Sequence, residues 1–375
     1  MYMTNPRASI IYAATGVLLM TLGGWQAFGA EEATNAAAPA QQKTEETTPV
    51  MVEDGGTGPY KAIEVGDKSL ATHTIFRPKD LSVFGATNKL PILAWGNSGC
   101  ANSPSGCQNF LSEIASHGFL VIAIGPVQTG GGRGGGMGAG GGTKSSQLLD
   151  AINWAIGQNT NSGSIYSGKV DITKTGVFGH SCGGLQALEV SPDPRITTTI
   201  VCDSGILNSG GGGAPGGGAA PGRGGAGRGG GGGGGGFGGA GGGMPGFGGG
   251  GGAGRGGAGA GGGGGMAGMP PLTKDFLTKL HAPVLYMLGG SSDIAYANGL
   301  DDYMRIDKIP AFMANMDVGH GGTYARPHGG EFAKVAIAWF QWQLKDDAEA
   351  AKMFTGDPCG LSKVTGWKVE KKNIF

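Results

Sequence analysis

The sequence predicts an α/β domain built on a mostly parallel, doubly wound sheet of about eight strands. Three observations carry this. Short apolar runs of strand length alternate with stretches of helical spacing from Leu90 to Leu344. One of the runs, Thr175 to Phe178, leads straight into Gly179-His180-Ser181-Cys182-Gly183-Gly184 and then a helical pattern. The glycine excess, 83 of 375 residues, is local: 40 lie between Gly210 and Gly268 and 10 between Gly130 and Gly142. Gly follows no three-residue period, and enough chain remains outside the tracts for one well-cored domain, which excludes collagen and a wholly disordered chain.

The elements follow in order. Ala62 to Val65 and Ala71 to Phe76, separated by Gly66-Asp67, read as a hairpin of edge strands. Leu90 to Trp95 is a short apolar strand, Gln108 to Ser116 has helical spacing through Phe110, Leu111, Ile114 and Ala115, and Phe119 to Ile124 is again a strand. Leu148 to Ile156 gives a helix, Thr175 to Phe178 a strand, Leu185 to Val190 a helix, and Ile196 to Val201 a β-branched strand. After the long glycine tract come a helix near Leu272 to Leu280, a strand at Val284 to Leu288, a helix around Leu300 to Ile306, a strand at Ala311 to Met316 and a helix from Phe332 to Leu344. In such sheets chemistry gathers beyond the carboxyl ends of the strands.

The flanks read differently. Residues 1–30, with a basic start, an apolar run from Ala8 to Trp25 and small residues at Ala27-Phe28-Gly29, are expected to be a secretory signal peptide, so the protein is expected to be secreted or periplasmic, with no stable membrane insertion after processing. Residues 31–58, poor in large apolar side chains, are expected to be a disordered linker. The folded domain is then expected to span 59–346, with glycine-rich insertions at 130–142 and 209–270, and 347–375 to form a C-terminal tail. The 27 basic and 27 acidic residues balance, which leaves no long-range field to draw nucleic acid or an anionic surface. Of five cysteines, Cys100 and Cys107 enclose a short loop and are the expected disulfide; the spacing of the set fits no zinc site.

Glycines flanking Ser181, with a strand before and a helix after, permit the sharp turn that lifts a serine oxygen clear of the backbone, so Ser181 is the expected nucleophile. A serine hydroxyl needs a base, and the base an orienting acid. His320 follows the last parallel strand in Asp317-Val318-Gly319-His320-Gly321-Gly322 and is the expected base, with His328 in Pro327-His328-Gly329-Gly330 as competitor. Two strand-end carboxylates compete as the acid: Asp293, which is favoured, and Asp203. The oxyanion of a tetrahedral intermediate needs amide donors, expected from Cys182, directly after the nucleophile, and from Asn97 in the loop after the third strand. Tyr296 and Tyr324 lie beside the acid and base in sequence and are candidate pocket residues.

At this point the chain resembles a secreted α/β-hydrolase over most of 59–344 outside the glycine tracts. Within that superfamily it is most similar to the branch holding dienelactone hydrolase, chlorophyllase and the bacterial cutinase-like polyester hydrolases. The phrase from Phe110 to Ile122 resembles their "LASHGFVVI" element, Gly96-Asn97-Ser98 stands where they carry the oxyanion loop, and Asp293-Ile294-Ala295 stands near their catalytic acid. The resemblance implies Ser181 as nucleophile, His320 as base and Asp293 as acid, with no cofactor. Two features depart from it. Asn97 stands where those enzymes usually carry an aromatic residue, and no cysteine lies between Asp203 and Cys359, where they often carry a disulfide. Asp203 matches instead the acid position of the platelet-activating-factor acetylhydrolases.

The long tract lies where many such enzymes insert a helical lid, but Gly with some Ala, Pro and Met loses too much entropy on ordering to form a packed cap. Arg133, Arg223, Arg228 and Arg255 each sit in Gly-Arg-Gly-Gly, yet four arginines with only Phe237 and Phe247 are too sparse for an RNA-binding segment. The expected activity is serine-dependent cleavage of a small or polymeric carboxylic ester: an acylated plant polysaccharide, a feruloyl-type ester, a polyester or a short lipid. A serine peptidase and an inactive exported binding protein are the alternatives.

Overall fold

The computed structural model describes residues 43–127, 142–208 and 269–375. The expected signal peptide, the first part of the linker, and nearly all of both glycine tracts, with their four arginines, lie outside the described residues.

Nine strands form one sheet: β1 (Ala62–Val65), β2 (His73–Pro78), β3 (Leu90–Gly96), β4 (Leu120–Ile124), β5 (Val170–His180), β6 (Thr198–Cys202), β7 (Val284–Leu288), β8 (Ala311–Met316) and β9 (Trp367–Lys372), in the order β1-β2-β4-β3-β5-β6-β7-β8-β9. The six strands from β4 to β8 pair in parallel; β1, β2 and β9 are antiparallel. The parallel strands are buried on both faces, which is why they read as continuous apolar runs.

Side chains still alternate. Leu93, Trp95, Val121, Phe178, Ile200, Leu285, Met287 and Phe312 point to one face, where they pack with α1 (Gln108–Ser116) and α5 (Gly330–Lys345). Their neighbours Ile92, Ala94, Ile122 and Val177 pack with α2 (Ser146–Thr160). Val201, Tyr286, Leu288 and Met313 pack with α3 (Cys182–Val190) and α4 (Tyr296–Arg305). This is the α/β-hydrolase arrangement, a sheet covered on both faces.

Three expectations change. The strand read as Thr175 to Phe178 begins five residues earlier, at Val170, and the helix near Leu272 to Leu280 is a 3-10 turn over Lys274–Lys279. The segment set apart as a tail supplies the ninth strand: Trp367 to Lys372 pairs with β8 along its whole length, and buried Trp367 lies with its ring 5.6 Å from that of Phe332. The described end of the linker is also tied down. Val50 bridges Glu64, Thr47 N–H donates to Gly66 O at 2.8 Å, and Glu46 pairs with the buried guanidinium of Arg77. A buried cation needs a carboxylate partner, and this one comes from a stretch that carries little apolar surface of its own.

Candidate active site

β5 delivers the nucleophile turn. Ser181 sits between strand and helix with φ 56° and ψ −118°, a backbone conformation that side-chain-bearing residues rarely adopt. The turn closes because its flanks are bare: a Cβ on Gly179 would collide with the Gly183 carbonyl, and one on Gly183 with the backbone of Gly96 and Asn97. Ser181 N–H donates to Cys202 O at 2.9 Å, and the Ser204 hydroxyl donates to Ser181 O at 2.6 Å, so β6 braces the strained residue from behind.

The loops after β7 and β8 bring up the other two groups. Val318 and Gly319 N–H both donate to Gly289 O, at 3.0 and 2.7 Å, which locks the two loops together. His320 Nε2 then lies 2.9 Å from Ser181 Oγ, and His320 Nδ1 lies 2.6 Å from Asp293 Oδ1. A carboxylate only accepts, so Nδ1 carries the proton toward Asp293 and Nε2 is left to accept from the serine hydroxyl. Asp293 also accepts from Ala295 N–H at 2.9 Å. Burial would raise its pKa, but the His320 hydrogen bond and these amides outweigh burial and hold the carboxyl below its ordinary value.

Asp203, the rival acid, does not face His320. It is fully buried at the end of β6, where its Oδ2 accepts the Tyr324 hydroxyl at 2.7 Å and lies 3.9 Å from His180 Nε2. Burial and the nearby charge of Asp293 push its pKa well above the carboxylate range. His328, the rival base, is drawn away from Ser181: its Nδ1 lies 3.4 Å from Glu113 in α1 and its backbone N–H donates to Glu53, in the chain before β1, at 2.6 Å. Tyr324 does not line a pocket. It is 2% exposed, with its ring against Trp95, Phe110 and Phe332. Tyr296 opens α4 and packs partly against the core beneath α3.

The Asn97 side chain is fully engaged. Its Oδ1 accepts Trp95 Nε1–H at 2.9 Å, and its Nδ2 donates to Ala101 O and Ile124 O at 2.8 and 2.6 Å. This leaves its backbone amide as the candidate oxyanion donor. Cys182 opens α3, so its amide is one of the first-turn donors that a helix leaves without an internal partner.

The expected Cys100–Cys107 disulfide is replaced by Cys100–Cys182. Cys107 precedes α1 and turns its thiol into the core beneath α1 and α5, whereas Cys100, at φ 49°, faces the start of α3. A sequence separation of 82 hides this pairing from any reading of spacing.

Sequence reading also missed His180, whose Nε2–H donates to His320 O at 2.8 Å. Its place directly before the nucleophile was the available signal. Among the described residues no cluster of His, Cys, Asp and Glu is arranged to hold a metal, and no helix is long and apolar enough to cross a membrane.

Residues 74–202 match the PETase family model, described as PET hydrolase-like. The matched stretch holds Asn97, Ser181 and Cys182 and stops before Asp293 and His320. No curated protein matches the chain. With the Ser181 turn inside the matched stretch and the full sheet around it, the chain has the α/β-hydrolase fold, and its residues 74–202 are similar to a polyester-hydrolase family.

Proposed function

We propose that the protein is a secreted hydrolase that cleaves carboxylic esters through Ser181, His320 and Asp293. The observation that carries this is the unbroken chain from Ser181 Oγ through His320 to Asp293, at 2.9 and 2.6 Å. Ser181 Oγ attacks the ester carbonyl carbon as His320 Nε2 takes its proton, and the carbonyl oxygen becomes an oxyanion held by the amides of Cys182 and Asn97. The intermediate collapses, the C–O bond to the alcohol breaks, and His320 returns the proton to the leaving oxygen. Water, deprotonated by the same imidazole, then releases the acid from Ser181. Every proton is accounted for by the chain's own groups and water.

Export is read from residues 1–30, and a disulfide beside the site supports it, because such bonds persist in oxidising compartments. The PET hydrolase-like match makes a polyester the first polymeric substrate to assay beside soluble esters. The test is hydrolysis of p-nitrophenyl acetate and butyrate by the parent and by Ser181→Ala. A loss of about a thousandfold or more is expected, since the other groups leave only residual catalysis. Equal rates for the two proteins would overturn the reading.

A further inference from the structure

The disulfide joins the two segments that carry the candidate oxyanion donors. Cys182 contributes one of its amides and stands next to Ser181; Cys100 ends the turn Ser98–Cys100 that Asn97 opens. Their Cα atoms are 5.2 Å apart. Both cysteines are buried, at 1% and 2% exposure, so the bond lies inside the site's wall.

A second link runs alongside it. Cys100 O accepts from both N–H and Oγ1 of Thr143, each at 3.0 Å, and Thr143 O accepts Nε2–H of Gln186 at 2.9 Å. Gln186 lies one turn beyond Cys182 on α3, so a covalent bond and a hydrogen-bonded relay join the same helix to the same turn. Strain lies at both ends of the bond: Cys100 has φ 49°, and Ser181, the neighbour of Cys182, has φ 56°. Residues at positive φ relax unless their surroundings over-determine them.

We propose that Cys100 and Cys182 are positioning residues for catalysis: their disulfide fixes the separation of the Asn97 and Cys182 amides that receive the oxyanion. The proposal rests on the ester-hydrolase reading above. Oxyanion donors act only when held within about half an ångström of the productive geometry; the two segments here meet backbone to backbone where Gly183 packs on Gly96 and Asn97, and the disulfide closes that contact covalently on the far side of the turn. A bond that only added stability would serve as well anywhere on the surface.

The test is the Cys100→Ala/Cys182→Ala double variant, assayed on p-nitrophenyl butyrate well below its unfolding temperature. The expected result is a kcat lower by about tenfold to a hundredfold, with KM changed by less than about threefold, since the donors act on the transition state. A purely stabilising bond would lower Tm and leave kcat intact, and that result would overturn the proposal.

Should the double variant not fold, the folded parent is treated with a phosphine reductant and assayed at once. Mass analysis after alkylation verifies that two further thiols have been released. The expected result is a comparable loss of kcat that reoxidation reverses; a reduced protein with parental kcat sinks the idea. Ser181→Ala separates the two layers. If it keeps parental activity, the hydrolase reading fails; if it is inactive while the bridge-free protein turns over at the parental rate, only the disulfide's role fails.

Discussion

The hydroxyl of Tyr324 donates to the carboxyl of Asp203 at 2.7 Å, in the core directly behind Asp293. Two carboxyl groups therefore stand at neighbouring strand ends, with Asp293 held below the ordinary value and Asp203 pushed well above it. On the proposed function these environments suit them to different work, since an orienting acid must be ionised beside the imidazole. Asp293→Asn should lower kcat by roughly four orders of magnitude, the loss expected when the base is held in the wrong tautomer. Asp203→Asn should change kcat by less than about fivefold, because its carboxyl does not touch His320. Steady-state kinetics on p-nitrophenyl butyrate decide it, and a larger loss at Asp203 would exchange the two assignments. The sign of the pH effect is also fixed. A carboxyl raised by folding contributes stability below its unfolded value and loses it as pH rises through the folded one, so the stability of Asp203→Asn relative to the parent should increase as pH rises.

Tyr324→Phe isolates the hydroxyl. The ring keeps its contacts with Trp95, Phe110 and Phe332, while Asp203 loses a buried donor. The expected cost is about 1–3 kcal/mol in urea unfolding, with KM unchanged. A rise in KM with stability intact would return Tyr324 to the substrate pocket.

What the sequence disclosed depended on how local each signal was. Ser181, His320 and Asp293 could be picked out because each follows an apolar strand by a few residues, and strand ends in a parallel sheet converge. Asn97 could be placed for the same reason, although its side chain turns out to be consumed by Trp95, Ala101 and Ile124. The pairing of Cys100 with Cys182 could not, because it depends on how β3 and β5 lie side by side. Strand β9 was hidden for another reason: Trp-Lys-Val-Glu-Lys-Lys reads as polar, which is what a charged edge strand looks like. Tyr324 sits four residues after His320 but faces inward, and nothing in a short glycine-rich loop announces that reversal.

His180 ties the His320 loop to the end of β5 and does so uncharged. Burial and the neighbouring His320 lower its pKa from 6.5 to about 4. A base whose pKa is depressed by folding contributes stability above its unfolded value and loses it as pH falls toward the folded one. The window is therefore 6.5 down to about 4, and the loss reaches up to about 3 kcal/mol at its lower end. His180→Gln keeps a side-chain donor and cannot titrate, so its urea midpoint should fall less than the parent's across that window. An identical acid dependence in the two proteins would show that His180 is not the group responsible.

The long glycine tract leaves and re-enters the domain at one clamped point. Asp302 on α4 accepts Ile206 N–H at 2.7 Å on the side where the tract departs, and the Lys274 ammonium at 2.6 Å on the side where it returns. Burial raises the Asp302 carboxyl to about 6 against the pull of Lys274, so the clamp is an ion pair working under desolvation. Replacing residues 209–268 with a short Gly/Ser linker should therefore leave the fold closed at its neck, with kcat/KM on p-nitrophenyl butyrate within about threefold of the parent. Lys274→Met strands the Asp302 carboxylate and should cost about 3–5 kcal/mol, the penalty for breaking a buried pair from one side. Unfolding of the deletion variant together with a silent Lys274→Met would mean that the tract itself, and not the clamp, holds β6 and β7 together.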